Sequence, residues 1–312
     1  MLNSGLRIVT RESPLALWQA QFVRARLQET HPGLSVGIKT VKTVPDRFLH
    51  KSLAEMGGKG MFVKELEQAL LNDEADLAVH SMKDVTVDLP AGLSLTVIMQ
   101  REDPRDVLIS NRYSSLAELP AGAVIGTSSL RRQCQLNAAC PGLALRDIRG
   151  NVGSRLQKLD NGAYDALVLA AAGMKRLGKE DRISSYLGVE EMLPAIGQGA
   201  LGIETRTNDQ RVLQLVRPLG HEPTRVCVNA ERALSRRLYG GCHLPVAAYA
   251  EISGEVLSME ALVGYPDGSG VVKNKISGPV DRSEKLGSEL GERLLQQGAR
   301  QILAGVTGND KQ

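Results

Sequence analysis

Aromatic residues are scarce in this chain: phenylalanine, tyrosine and tryptophan make up 3% of its 312 residues. Proteins that bind single-stranded nucleic acid by base stacking present several aromatic side chains, so we do not expect that function here. The formal net charge is only +3, which gives no further reason to expect a nucleic-acid partner. A local cluster of arginines is still able to bind a small anion.

Segments and motifs that define several other protein classes are also missing. No run of about 18 apolar residues exists, so the sequence predicts no membrane span. The N-terminal stretch MLNSGLRIVTRESP is interrupted by Arg7 and Arg11 and leads into no apolar segment. It does not match a secretory signal, and we expect a cytoplasmic protein. Neither GxGxxG nor GxxxxGK(S/T) occurs, which disfavours dinucleotides and nucleoside triphosphates as ligands.

The four cysteines, at positions 134, 140, 227 and 242, include no CxxC pair. In a long chain this argues against disulfides and against a zinc site. Cys134 and Cys227 fall in predicted helices and Cys140 at a helix end, so we interpret these three as structural. Cys242 differs, because in YGGCHLP it follows two glycines that leave room for a bulky partner beside a nucleophilic thiolate. The alternative is a small buried residue in a tight turn.

The rest of the composition is that of an ordinary globular protein, with 42% hydrophobic and 23% charged residues. The length predicts two or three domains. Strand-like and helix-like stretches alternate, as where LRIVT (6–10) is followed by a helix that Ser13 caps and Pro14 begins. This alternation predicts parallel α/β layers.

The last quarter of the chain has a different pattern. A helix is predicted near 222–238, followed by three antiparallel strands in VAAYAEI, VLSMEALVGY and VVKNKIS, with PDGSG as a turn. A helix near 283–298 closes the chain. We expect a small α+β module here, with domain boundaries near 100–105 and 218–222.

Three predicted strand-to-helix junctions carry hydroxyls and arginines. Ligands of open α/β sheets bind beyond the carboxyl ends of the strands, where the free N–H groups of helix N-termini favour anions. Arginine adds a planar fork that suits carboxylate or phosphate. Three such junctions in one chain predict a polyanionic ligand. Their residues are Arg11 and Ser13; Thr127, Ser128, Ser129, Arg131 and Arg132; and Arg149 and Arg155.

The stretch AVHSMKDV (78–85) ends another predicted strand with charged residues. Lys83 suits an anion and Asp84 a cation, so the pair is a candidate site. The alternative is a surface turn with a solvated Lys-Asp pair. We expect His80 to be packed or hydrogen-bonded rather than a ligand.

These motifs together resemble the porphobilinogen deaminase family, also called hydroxymethylbilane synthase, over essentially the whole chain. The segments that carry the resemblance are, in order, RESPLALWQA, GGKGMFVKELE, DLAVHSMKDV, REDPRD, GTSSLRRQCQL, RGNVGSRLQKLDNG, AGMKRLG, LPAIGQGALGIE, AERAL and GGCHLPVAAYA.

The resemblance implies a transferase of tetrapyrrole and haem biosynthesis. Members carry a dipyrromethane cofactor through a thioether to the cysteine of the GGC motif, which is Cys242 here. They join four porphobilinogens head to tail onto it, with loss of ammonia, and hydrolyse off the linear tetrapyrrole. Porphobilinogen bears an acetate and a propionate, so the growing chain is a polycarboxylate. A monomer without nucleic-acid or membrane partners is implied.

Site residues follow from the same resemblance by matching positions. Asp84 matches the catalytic aspartate, since a carboxylate stabilises the cation that loss of ammonia leaves. The binding residues implied for cofactor and substrate are Arg11, Ser13, Phe62, Lys83, Thr127, Ser129, Arg131, Arg132, Arg149, Arg155 and Arg176. No metal is implied.

The implied fold is α/β, with two lobes like those of periplasmic binding proteins plus a small C-terminal α+β domain. Domain 1 would cover 1–100 with 200–217, domain 2 would cover 105–193, and domain 3 would cover 222–312 and carry Cys242. The chain would cross back near 194–200. One loop departs from the family pattern T-(K/R)-G-D, since it reads Thr43-Val44-Pro45-Asp46.

Two other functions fit part of the pattern. An anion-binding two-lobed protein, or the effector half of a transcription regulator, explains the junction arginines but gives Cys242 and Asp84 no role. A cysteine hydrolase needs a histidine base, and His243 is adjacent to Cys242 in sequence, where a side chain usually points away. A covalently bound pyrrole is expected only of the deaminase.

Overall fold

The structure of the protein is a computed structural model that describes residues 5–42, 63–238 and 244–308. The expectations for Phe62, for Cys242 and for the Thr43–Asp46 loop therefore lie outside the described residues.

Thirteen strands and nine α-helices lie within the described residues. Strands β1 to β13 span Leu6–Arg11, Val36–Val41, Leu77–Ser81, Leu93–Ile98, Asp106–Ile109, Val124–Gly126, Ala144–Arg146, Ala166–Ala170, Ser185–Leu187, Leu201–Arg206, Val246–Ser253, Val256–Gly264 and Val271–Pro279. Helices α1 to α9 span Pro14–Thr30, Lys64–Leu71, Leu130–Ala139, Val152–Asp160, Ala171–Arg176, Gln210–Val216, Glu222–Arg237, Ser283–Leu294 and Arg300–Gly308.

The first strand and helix form as their sequence predicts. Strand β1 is buried along most of its length, as expected of a central strand with Leu6, Ile8 and Val9. At the start of α1, Ser13 Oγ accepts a hydrogen bond of 3.3 Å from the backbone N–H of Ala16. This cap and the following proline fix where the helix begins, directly after the carboxyl end of β1.

Two five-stranded sheets share one layout. The first has the order β2-β1-β3-β10-β4 and the second β7-β6-β8-β5-β9. In each, three neighbouring strands are parallel, and the fourth, β10 or β5, runs antiparallel to both of its neighbours. The α/β class is confirmed. The predicted parallel layers are present, but each sheet is mixed, because one of its strands is reversed.

The reversed strands were also hard to recognise in the sequence. Strand β5 has only four residues, and β10 contains Gly202 and the buried Glu204. A side chain at Gly202 would collide with Met82 and Leu95, so glycine allows the close approach of neighbouring residues. A glycine and a carboxylate inside a strand interrupt the apolar pattern by which strands are recognised.

The C-terminal part contains the predicted antiparallel sheet, in the order β11-β12-β13. Its core consists of residues from the sheet and from helices α7, α8 and α9, such as Leu234, Leu257, Leu290 and Ile302. The predicted helix near 283–298 is interrupted at Gly298, which has φ +111°, and α9 follows it. The α+β prediction and a helix near 283–298 are confirmed, but the prediction that this helix closes the chain is wrong, because α9 follows it.

The packing of the chain separates it into two compact units. One comprises Met1–Glu102 with Ala200–Arg225, and the other Asp103–Gly199 with Val226–Gln312. Within the second unit, Cys134 of α3 and Leu193 pack against Ala247 and Leu262 of the C-terminal sheet. This shared apolar cluster explains why residues 103–199 and the C-terminal sheet form one unit. The division into three domains stays a prediction.

The structure also bears on two expectations from composition. Cys134 and Cys227 are buried, and neither these two nor Cys140 forms a disulfide among the described residues. None of the helices in the described part of the chain is long and apolar enough to cross a lipid bilayer.

Candidate functional site

The first unit contains a cavity at the carboxyl ends of β1 and β3. Arg11 and Ser13 line it from the β1–α1 junction, and Asp84 lines it from the turn after β3. The structure therefore brings three of the predicted residues to one cavity. The other described lining residues are Leu15, Ala16, Gln19, Val63, Leu66, Val79, His80 and Ser81.

The turn that carries Lys83 and Asp84 is a short 3-10 helix, Met82–Asp84. The backbone N–H of Met82 donates to Ala200 O at 3.0 Å, and the N–H of Val85 donates to Met82 O at 3.3 Å. Met82 is buried, while Lys83 and Asp84 are half-buried. The buried methionine anchors the turn and leaves the two charged side chains near solvent.

Gln19 also lines the cavity, although the sequence did not predict it as a site residue. It lies on the buried face of α1, and its Nε2 donates to Ser81 Oγ at 2.7 Å. The motif RESPLALWQA contains it, but the sequence gives no sign that a glutamine of this helix reaches the end of β3. The bond links α1 to the strand that leads to Asp84.

His80 is buried and hydrogen-bonded, as the sequence predicts. Its Nε2 lies 2.8 Å from Oε2 of Glu204, which is fully buried on the neighbouring strand β10. Oε1 of Glu204 has no hydrogen-bond partner. Burial, and then the charge of Glu204, raise the pKa of the buried Glu67 of α2, while the charge of His80 opposes the rise.

In the second unit, one buried carboxylate holds two predicted arginines. Nη2 of Arg131 is 2.7 Å from Oδ2 of Asp106, and Nη2 of Arg132 is 2.7 Å from Oδ1. Gln198 Nε2 also donates to Oδ1, at 3.0 Å. Burial acts to raise the pKa of Asp106, but the two arginines outweigh it and hold that pKa well below its usual range.

Of the remaining N–H groups of these two arginines, both Nη1 groups are hydrogen-bonded, but Nε of Arg132 is not. Nη1 of Arg131 donates to Leu193 O at 2.7 Å, and Nη1 of Arg132 donates to Val168 O at 2.9 Å. Nε of Arg132 is buried without a hydrogen-bond partner. A buried cationic donor without an acceptor is costly, and a ligand oxygen is one way to satisfy it.

Two further arginines complete this cluster. Nε of Arg155 donates to Gly150 O at 2.7 Å. Burial, and then the positive charges of Arg132 and Arg149, lower the pKa of Arg155 to about 10. Arg149 is half-buried, and the nearest carboxylate oxygen recorded for it, on Asp147, is 4.0 Å away. The cluster carries more positive than negative charge, which favours an anionic ligand.

The hydroxyls of the second junction have different roles. Ser128 Oγ accepts from the N–H of Ile148 at 3.0 Å and donates to its carbonyl at 2.9 Å, so it is structural. Thr127 is buried, and its Oγ1 accepts from the N–H of Ser129 at 3.3 Å. Ser129 is the N-cap of α3 but makes no side-chain capping bond.

The remaining predicted site residues are at the third junction and at Arg176. At the start of α4, Asn151 Oδ1 accepts from the N–H of Ser154 at 3.0 Å, so this helix end supplies its own cap. Arg176 lies buried at the end of α5 and donates from Nη2 to Gly199 O at 2.6 Å. Arg176 therefore holds Gly199, the last residue of the second unit before β10, to the end of α5.

The donor set suits a polycarboxylate rather than a metal. Arginine forks recognise carboxylates, and the open Nε of Arg132 is a donor that such a ligand would satisfy. Within residues 5–42, 63–238 and 244–308, no three His, Cys, Asp or Glu side chains are grouped so that they could hold a metal ion. The residues present therefore fit a cofactor that carries acetate and propionate groups.

Several solved structures of binding proteins are similar to part of this chain. A putative methionine-binding lipoprotein from Bacillus subtilis is 11% identical over 69% of this chain and 89% of its own, with a TM-score of 0.44. A periplasmic substrate-binding protein of an ABC transporter from Coxiella burnetii is 16% identical over 73% and 96%, with a TM-score of 0.45. The periplasmic VFT2 domain of Bordetella pertussis BvgS is 16% identical over 68% and 84%, with a TM-score of 0.40.

Two family models match the chain. The dipyrromethane cofactor binding domain of porphobilinogen deaminase matches residues 6–214, and the C-terminal domain of porphobilinogen deaminase matches residues 225–296. The matches cover nearly the whole chain in the order that the sequence motifs predict. The members of this family are transferases that have hydroxymethylbilane synthase function and use a dipyrromethane cofactor. The chain therefore belongs to the porphobilinogen deaminase family.

Proposed function

We propose that this enzyme carries its dipyrromethane on Cys242 and joins four porphobilinogens to it head to tail. Each condensation releases one ammonia, and hydrolysis then frees the linear hydroxymethylbilane. The arginine cluster of the second unit holds carboxylates of the cofactor and the growing chain, and Asp84 carries the chemistry in the first unit. The observation that carries the proposal is that two buried arginines share the one carboxylate of Asp106, while Nε of Arg132 has no hydrogen-bond acceptor.

The charge balance of the cluster identifies the class of ligand. Arg131 and Arg132 are buried and share a single buried carboxylate, Asp106. The half-buried Arg155 is acted on by the positive charges of Arg132 and Arg149. Burying several like charges is unfavourable unless counter-charges arrive with a ligand. A chain of pyrroles that each carry an acetate and a propionate supplies several such charges, whereas a single amino acid supplies one carboxylate.

Three of these arginines have proposed roles in binding the chain of pyrroles. Arg131 and Arg132 have Nη groups fixed by Asp106 and by backbone carbonyls, so they keep one orientation before any ligand binds. Arg149 is half-buried and paired only at 4.0 Å, so it is free to turn toward a carboxylate. When bound, the cofactor supplies the free pyrrole carbon to which the first substrate is joined. Cys242 anchors it through a thioether.

The cavity of the first unit has groups for substrate and for catalysis. Arg11 and Ser13 supply a cation and a hydroxyl for the substrate carboxylates, and Asp84 lies at the same cavity. Loss of ammonia leaves a cation beside the pyrrole ring, which the Asp84 carboxylate stabilises. The wider binding set proposed from the family pattern adds Phe62, Lys83, Thr127, Ser129 and Arg176.

A first prediction concerns the covalent cofactor. The purified protein should be heavier than its sequence by two deaminated porphobilinogen units, because the thioether survives unfolding. Cys242→Ser should lack this excess, and the matched control Cys140→Ser should keep it. Intact-protein mass spectrometry measures both. Active protein with the bare sequence mass would contradict the covalent anchor, whereas inactive protein with the bare mass would favour the binding-protein alternative.

A second prediction separates ligand binding from stability at Arg155. The lowered pKa means that folding disfavours its charge. This penalty is present at neutral pH and is relieved only as pH rises through about 10, the folded value. Arg155→Met should therefore leave the melting temperature unchanged or raised, while the fraction of protein that carries cofactor falls. Thermal unfolding and intact mass measure the two effects.

The matched control for Arg155 is Arg182→Met in the same unit. Arg182 pairs with Asp160 at the surface, at 2.6 Å, away from the cluster. It should keep full cofactor content with little change in melting temperature. An Arg155→Met protein that melts much earlier yet keeps all of its cofactor would show that Arg155 is a structural residue.

A third prediction tests the charge of Asp84. At about 4 Å and an effective dielectric near 20, two unit charges interact by about 4 kcal/mol. Asp84→Asn keeps the size but removes the charge, so ammonia release should slow by roughly three orders of magnitude. Asp84→Glu keeps the charge and should be impaired less. Single-turnover ammonia release, measured after cofactor content has been checked, gives the rates.

The control for this series is Asp88→Asn, four residues further on and exposed, which should release ammonia at the normal rate. Near-normal release by cofactor-loaded Asp84→Asn would mean that Asp84 only shapes the turn.

A further inference from the structure

We propose that His80 and Glu204 form a proton relay at the cavity that Asp84 also lines, in which His80, held by Glu204, accepts the C–H proton that each condensation sets free. This inference rests on the function proposed above and assigns a role to two buried groups, His80 and Glu204, which that function does not use.

The geometry places the imidazole at the cavity and its carboxylate partner behind it. His80 and Glu204 lie on neighbouring antiparallel strands, where Glu204 pairs with Ala78. Because side chains two residues apart share a face of a strand, Glu204 and His80 point to the same side of the sheet. His80 lines the cavity together with Arg11, Ser13 and Asp84. Among the described residues, the side chain of His80 forms a hydrogen bond through Nε2 only, so Nδ1 has none.

The burial and charges of this group fit proton transfer better than a structural ion pair. Glu204 is 0% exposed, His80 5% and Glu67 8%, and Oε1 of Glu204 has no partner. Apolar side chains would fill the same space at lower cost. Burial and the charge of Glu204 raise the pKa of Glu67, so this carboxyl holds a proton more readily than usual.

The chemistry of each condensation supplies the proton for this relay. One C–C bond forms between two pyrroles, the C–N bond of the substrate's ammonium group breaks with release of NH₃, and one proton leaves the alkylated ring carbon. Its bonding electrons return to the ring. Imidazole is the side chain suited to accept a proton near neutral pH. His80 takes this proton on Nδ1, and the carboxylate of Glu204 stabilises the imidazolium through Nε2–H. The proton then passes to the released NH₃, and the neutral imidazole is restored without any oxidant or reductant.

The charged groups around His80 come from four elements. Glu204 is on β10. Glu67 and Lys64 are on α2, and the positive charge of Lys64 acts to lower the pKa of Glu67. Arg11 at the end of β1 and Asp84 after β3 face His80 from the lining of the cavity.

The test removes the proton acceptor but keeps the contact. His80→Gln retains an N–H that can donate to Glu204, and it does not titrate. The matched control is His31→Gln, because His31 bonds to Leu215 O at 2.9 Å at the end of α1 and does not line the cavity. Cofactor content is measured by intact mass. Successive condensations are then followed with porphobilinogen that carries hydrogen or deuterium at its free ring carbon. The first addition removes a proton from the cofactor ring, so the label is lost, and an isotope effect can appear, only in the second and later additions.

We expect His80→Gln to carry its cofactor and to condense roughly 100-fold more slowly, as for loss of a general base. A primary deuterium isotope effect should appear in this variant and be small in the natural protein and in His31→Gln. Slow deprotonation produces that effect, whereas a merely loosened cavity does not. Glu204→Gln should show a smaller effect of the same kind.

A normal rate and an unchanged isotope effect in cofactor-loaded His80→Gln would overturn the relay. If that variant does not fold, Glu204→Gln decides the question by the same isotope measurement. Natural protein without cofactor mass and without condensation would instead contradict the function on which the relay rests. Loaded natural protein that condenses normally isolates the relay as the part under test.

Discussion

The carboxylate of Asp106 is the interaction on which the second unit depends. It is fully buried on β5, the first strand after the chain enters this unit, and it pairs with Arg131 and Arg132 of α3. Through those arginines and Gln198 it connects β5 to β8, to α3 and to the segment that leads into β10. Removing one partner of a buried charge group costs about 3–5 kcal/mol, because the other charges stay buried without compensation.

The same arrangement prepares the site for its ligand. The guanidinium groups are fixed before binding, so little side-chain entropy is lost when a carboxylate arrives. Helix α3 presents the arginines at its first turn and packs Cys134 against the C-terminal sheet one turn later. In that sheet, Ala250 N–H donates to Glu231 Oε1 at 2.9 Å, while Gly197 N–H donates to Oε2 at 2.7 Å. These contacts hold the arginines and strand β11, which begins shortly after Cys242 in sequence, in one unit.

Local signals in the sequence were sufficient to predict several parts of the candidate site. The cap at Ser13, the arginines at the start of α3 and the buried histidine were predicted, because each depends on neighbours in sequence. The partner of those arginines was not, although REDPRD contains it, since Asp106 and Arg132 are 26 residues apart. The reversed strand β10 was missed because Gly202 and Glu204 break its apolar pattern, yet Glu204 is there to pair with His80. Such long-range pairs are decided by how strands are ordered in the sheet, which periodicity does not reveal.

The central claim, that Asp106 holds the arginines in place for a polycarboxylate, is tested most directly by Asp106→Asn. This change keeps the shape of the side chain but leaves two buried arginines without a counter-charge. The measurement is chemical unfolding of the purified variant together with its intact mass, with the surface change Asp160→Asn as control. The account predicts a loss of about 3–5 kcal/mol in the free energy of unfolding and protein without cofactor, and little change in the control. Full stability together with complete cofactor content in Asp106→Asn would contradict it.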